Sequence, residues 1–145
     1  MHVYWFQDSK IGHLNQVQAL LDELSKENEL AITKIQCPER SILNWLKSFL
    51  PSAPIENQKD GVTLLIGAGH SAYPQILKTQ QTLKKTANLL SVAILKPSFN
   101  ANAFDLVCAP EHDYPSIKKP NNVHAFKGSL ATTSLIEPTP NKGII

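Results

Sequence analysis

Val62-Thr63-Leu64-Leu65-Ile66 followed by Gly67-Ala68-Gly69-His70 is the stretch on which the fold turns. Five consecutive apolar or β-branched residues with no polar alternation read as a strand covered on both faces, as in a parallel sheet. Working outward, Val3-Tyr4-Trp5-Phe6 has the same character and runs into Asp8-Ser9-Lys10-Ile11-Gly12-His13, while Leu106-Val107-Cys108-Ala109 runs into Pro110-Glu111-His112-Asp113. If these runs lie parallel, the polar clusters that end them pool along one sheet edge, where open α/β sheets bind ligands.

The intervening segments support that arrangement. Leu14, Val17, Leu20, Leu21 and Leu24 recur at helical spacing, and Leu30–Ile35 reads as a second strand. Ser41 is placed to cap a helix over Ile42–Leu50, stopped by Pro51 and followed by a loop to Asp60. Ala72, Tyr73, Ile76, Leu77 and Leu83 mark a helix after the central strand. Leu89–Leu95 and Val123–Phe126 complete the strands. Strands alternating with helices predict an α/β fold: a Rossmann-like three-layer sandwich with a mostly parallel sheet of about six strands. Residues 1–136 are expected to form this domain. Residues 137–145, Glu137-Pro138-Thr139-Pro140 onward, have the composition of a linker or tail toward a second domain.

At 145 residues, 42% apolar and 18% charged, the chain has the makeup of one globular domain. Net charge is only +2 and Arg40 is the single arginine, which argues against nucleic acid as a partner. Two cysteines, Cys37 and Cys108, make no framework. With no secretory signal and no apolar run long enough for a span, the expected compartment is the cytoplasm, which still allows a peripheral membrane contact.

Three clusters are candidates for chemistry. Gly12 opens a helix whose N-terminus offers free N–H groups, and His13 sits in the first turn, suited to abstract a proton or, equally, to cap the helix. Gly67, Gly69 and His70 either hold a polar group of a ligand or simply turn the chain. Glu111, His112 and Asp113 follow a buried strand; Asp113 or Glu111 could accept the His13 N–H, or all three could be solvated. The opening is neither a P-loop nor a dinucleotide fingerprint, and no HxH or HExxH spacing favours a metal, so no metal and no cofactor is expected.

Asp8-Ser9-Lys10-Ile11-Gly12-His13-Leu14-Asn15-Gln16, the Gly67-Ala68-Gly69-His70 step and the Phe104–Asp113 block occur in the order found in the mitochondrial-fission Elm (elongated mitochondria) family, and resemble its motifs over most of the chain up to about residue 130. Gly12-His13-Leu14-Asn15 is also similar to the Gly-His-x-Asn step of small-molecule glycosyltransferases. The resemblance implies the amino-terminal, acceptor-side half of a GT-B-type glycosyltransferase-like protein, serving cell-envelope glycolipid synthesis. It implies His13 as base, oriented by Asp113 or Glu111, with Asp8, Gly12, Asn15, Gly67, Gly69, His70 and His112 contacting substrate. The implied partners are a small-molecule or glycolipid acceptor, and a nucleotide-sugar only with a second domain. Ser9 and His70 depart from the family pattern, which has a glycine nearby and a longer or more basic residue at those places. The rival implication of the same resemblance is a non-catalytic interaction or scaffold protein.

Overall fold

The computed structural model describes residues 1–38, 61–83, 88–114 and 119–131. The expected helix over Ile42–Leu50, the loop after it and the 137–145 tail lie outside the described residues. Six strands form one sheet: β1 (His2–Gln7), β2 (Ala31–Gln36), β3 (Val62–Ala68), β4 (Asn88–Ile94), β5 (Leu106–Pro110) and β6 (Val123–Phe126). Their order is β2-β1-β3-β4-β5-β6 and every pairing is parallel, so the Rossmann-like α/β expectation holds. Two helices are described, α1 (Ile11–Ser25) and α2 (Ala72–Leu83). None is long and apolar enough to cross a membrane.

The continuous apolar runs are explained by cover on both faces. Alternate residues Val3, Trp5, Leu64, Ile66, Ala68, Val92 and Ile94 pack with Val17 and Leu21 of α1. The other set, Tyr4, Phe6, Leu65, Ala93, Val107 and Ala109, packs with Ala72, Tyr73 and Ile76 of α2. A strand with apolar side chains on both pleats has no solvent face to make polar. Gly67, expected in the turn after the central strand, is instead paired within β3. A Cβ there would lie 2.7 Å from the Phe6 carbonyl and 3.0 Å from the Ala72 Cβ, so its bareness lets α2 seat against the sheet.

The order of strands creates the crevice. From β1 the chain moves outward to β2 by way of α1; from β3 it moves the opposite way to β4 by way of α2. Right-handed crossovers in opposite directions place the two helices on opposite faces, and the carboxyl ends of β1 and β3 are left flanking the switch point.

At the other end of the sheet a carboxylate fixes where β5 enters. Asp105 accepts hydrogen bonds from the Ser91 N–H (2.8 Å), the Ser91 hydroxyl (2.8 Å) and the Gln80 amide (3.2 Å). Ser91 is fully buried, so its N–H has no water to fall back on. Asp105→Ala should therefore lower stability by about 2 kcal/mol in urea unfolding, with Asp105→Asn losing less.

Candidate functional site

The site begins with Asp8, the first residue beyond β1, whose carboxylate is buried. Its Oδ1 accepts from the Lys10 N–H at 3.1 Å, bending the chain into α1, which starts at Ile11 with no side-chain cap of its own. The turn delivers His13, third residue of the helix, back over Asp8. His13 Nδ1 lies 2.5 Å from Asp8 Oδ2. A carboxylate only accepts, so Nδ1 must carry the proton, and in the neutral ring Nε2 holds the lone pair. Among the described residues Nε2 meets no partner, and the His13 side chain keeps 21% of its surface exposed.

The wall facing this pair is Gly69, one residue beyond β3. Its φ is +95°, a left-handed value, and a Cβ built there would collide with Asp8 Oδ2 and fall 2.6 Å from His13 Nδ1. Only glycine satisfies both the backbone angle and the approach. The Gly69 carbonyl accepts from Ala72 N–H (3.1 Å) and Tyr73 N–H (3.2 Å), opening α2. Pro74 falls in that first turn, where a missing N–H costs nothing. Gly12 differs. It is helical, and among the described residues nothing lies within 4 Å of a Cβ added to it and no contact demands a glycine. A bare helical residue beside the pair, open to solvent, is room for a ligand at the α1 N-terminus.

Asp8, His13 and Gly69 are thus brought together, with Gly12 at their edge. The carboxylate of the pair is a correction: His13 is held by Asp8, not by Asp113 or Glu111. Those residues form a short 3-10 turn after β5 (Glu111–Asp113). Three strand spacings separate β1 from β5, roughly 14 Å, so their carboxylates stand along the rim and not at the histidine. Asp113 Oδ1 is 3.6 Å from His112 Nε2, on a largely exposed ring, and the Asp113 carbonyl accepts from Lys96 Nζ at 2.8 Å. Asn15 is exposed on α1. His70 is exposed on the rim, its Nδ1 3.1 Å from the Ser98 hydroxyl.

The segment after β4 was missed by sequence reasoning, because Lys96-Pro97-Ser98-Phe99 carries no charge cluster. It lies on the same edge. Lys96 also sits over the Tyr114 ring at 5.0 Å. Phe99, 42% exposed, packs edge-on to Tyr73. Ile11, 73% exposed at the start of α1, adds a second apolar group to the rim.

Burial pushes several thiols and phenols of this part of the molecule toward their neutral forms. Burial, and then the Asp8 charge, pushes the Cys37 thiol up to about 12. The Tyr73 phenol rises to about 12 for the same first reason, with Asp8, Tyr114 and Asp113 adding to it and the Gly69 N–H opposing. Burial raises Cys108, and burial with Asp113 raises Tyr114. Neither cysteine is therefore a ready thiolate at neutral pH. Among the described residues no three His, Cys, Asp or Glu side chains come together to hold a metal ion.

The two glycines should answer differently to the same change. Gly12→Ala is expected to raise stability by up to about 1 kcal/mol, as alanine does in a helix. Gly69→Ala should lower it by about 2 kcal/mol or more, through the strained angle and the collision. Urea unfolding of both variants measures this; matching effects would show that Gly69 is not built around the pair.

A family model described as mitochondrial fission ELM1 matches residues 11–137. That span takes in His13, Gly69 and the Glu111–Asp113 turn and begins three residues after Asp8. No curated protein and no solved structure gave a match.

Proposed function

The chain belongs to the mitochondrial fission ELM1 family, and on that premise we propose that it is the acceptor-binding half of a glycosyltransferase-like protein acting in the cytoplasm. The observation that carries this reading is the buried Asp8 carboxylate on His13 Nδ1, which leaves Nε2 free at the switch point. An imidazole so oriented is a general base. In the proposed reaction Nε2 takes the proton of an acceptor hydroxyl as that oxygen attacks the anomeric carbon of a sugar. The bond from that carbon to the nucleotide phosphate breaks. Asp8 stabilises the imidazolium that results.

The acceptor sits over Gly12 and Gly69, with His70 and Asn15 at its margin and Glu111, His112 and Asp113 further along the rim. The exposed Ile11 and Phe99 suit a glycolipid or another acceptor with apolar surface, brought in by peripheral contact with a membrane. A second domain binds the nucleotide-sugar. Nucleic acid has no part in this reading, since Arg40 is the single arginine.

A non-catalytic interaction or scaffold protein is the rival reading, and the pair argues against it. A docking surface has no use for a carboxylate buried beneath a partly exposed histidine. The two readings separate on one variant. In the complete enzyme, assayed for transfer of radiolabelled sugar from a panel of nucleotide-sugars to cell-envelope lipid extract, His13→Ala should lower the rate by about 10²–10⁴-fold, as loss of a general base does. Asp8→Asn should fall in a similar range, because its amide can donate to Nδ1 and reverse the tautomer. Both variants should keep their fold. Undiminished transfer by His13→Ala would remove the mechanism.

A further inference from the structure

Gly69 has no side chain with which to hold its place, yet it walls the Asp8–His13 pair closely. What holds it is Tyr73. The Tyr73 N–H donates to the Gly69 carbonyl at 3.2 Å, and the same residue carries a buried phenolic hydroxyl. That hydroxyl in turn donates to the Ile94 carbonyl at 2.7 Å, with the Leu95 carbonyl at 3.2 Å. Leu95 has a φ of +71°, unusual for a bulky side chain, and its N–H donates to the Cys108 carbonyl at 2.7 Å. One phenol thus ties the turn after β3 to the end of β4, and Leu95 extends the tie to β5.

Packing alone does not call for a hydroxyl here. The ring fills its space against Phe104 (centroids 5.6 Å), Phe99 (6.2 Å) and His70 (6.3 Å), which phenylalanine would do equally well. A fully buried hydroxyl is retained at a cost unless its bonds are made, and these bonds anchor to the end of β4 the residue whose N–H holds the Gly69 carbonyl. Backbone strain such as that at Leu95 persists where surrounding bonds over-determine it, and it clusters beside functional groups.

We infer that Tyr73 is a positioning residue whose hydroxyl, by anchoring to β4 the residue that holds the Gly69 carbonyl, fixes the His13 imidazole on Asp8. Its catalytic consequence rests on His13 being the base; the coupling itself does not, and is read without turnover. The test uses the whole chain with ¹⁵N,¹³C-labelled histidine and follows the His13 ring by NMR in the parent, in Tyr73→Phe and in Ser91→Ala. The last variant weakens the Asp105 tie at the other end of the sheet and serves as a stability control.

Tyr73→Phe should speed exchange of the His13 Nδ1–H by about tenfold or more, as expected when a local opening becomes easier, and broaden the ring carbon-bound resonances. Ser91→Ala should leave both unchanged at a comparable loss of Tm. Unaltered His13 signals in Tyr73→Phe would overturn the inference, and so would equal changes in the two variants, which would mark the effect as general loosening. A mutational finding that His13 takes no part in transfer would leave this coupling standing and remove only its consequence.

Discussion

The hydrogen bond from His13 Nδ1 to the buried Asp8 carboxylate is the constraint around which the carboxyl edge of this sheet is organised. A carboxylate out of water needs donors, and Asp8 has two within five residues, the Lys10 N–H and the His13 ring. Meeting that need determines how the chain leaves β1 and where α1 begins. It also requires the neighbouring turn to carry no side chain, because Gly69 passes where a Cβ would strike both partners. Local polar satisfaction, helix initiation and the open lone pair at Nε2 therefore have one cause.

The sheet makes this arrangement affordable in stability. With β1, β3 and β4 covered on both faces, the apolar burial that drives folding is concentrated under the site. Asp105 secures the opposite end by bonding the backbone and hydroxyl of Ser91. The irregular features of the carboxyl edge include positive φ at Gly69 and Leu95, a partly exposed histidine, and exposed Ile11 and Phe99. A parallel scaffold that carries its candidate chemistry on the carboxyl rim is the ordinary division of labour in α/β proteins.

Much of this was legible in the residues. Val62–Ile66 and Val3–Phe6 announced doubly covered strands because no polar alternation breaks them, the β-branched Thr63 aside, and the leucine spacing announced α1. The crevice followed from parallel strands alone. The partner of His13 was not legible as such, since Asp8, Glu111 and Asp113 all qualify by residue type. What separates them is reach: Asp8 is five residues away across one tight turn, whereas the other two stand three strands along the rim. Gly67 and Gly69 look equivalent in sequence, but one is paired within β3 under α2, while the other lies beyond the strand end, where a φ of +95° turns it against the pair. Tyr73 looked like one more apolar position on a helix face. Its hydroxyl was the sole sign of another role, because a buried phenol must find an acceptor.

The central claim is that Asp8 fixes the ring so that Nε2 is the free base. The most direct measurement is the tautomer of neutral His13, read from its two ring ¹⁵N shifts above the pH at which the imidazole titrates. The account predicts a predominantly Nδ1–H form in the parent chain, with that preference lost in Asp8→Ala. A predominantly Nε2–H ring, or the averaged shifts of a free histidine, would contradict it.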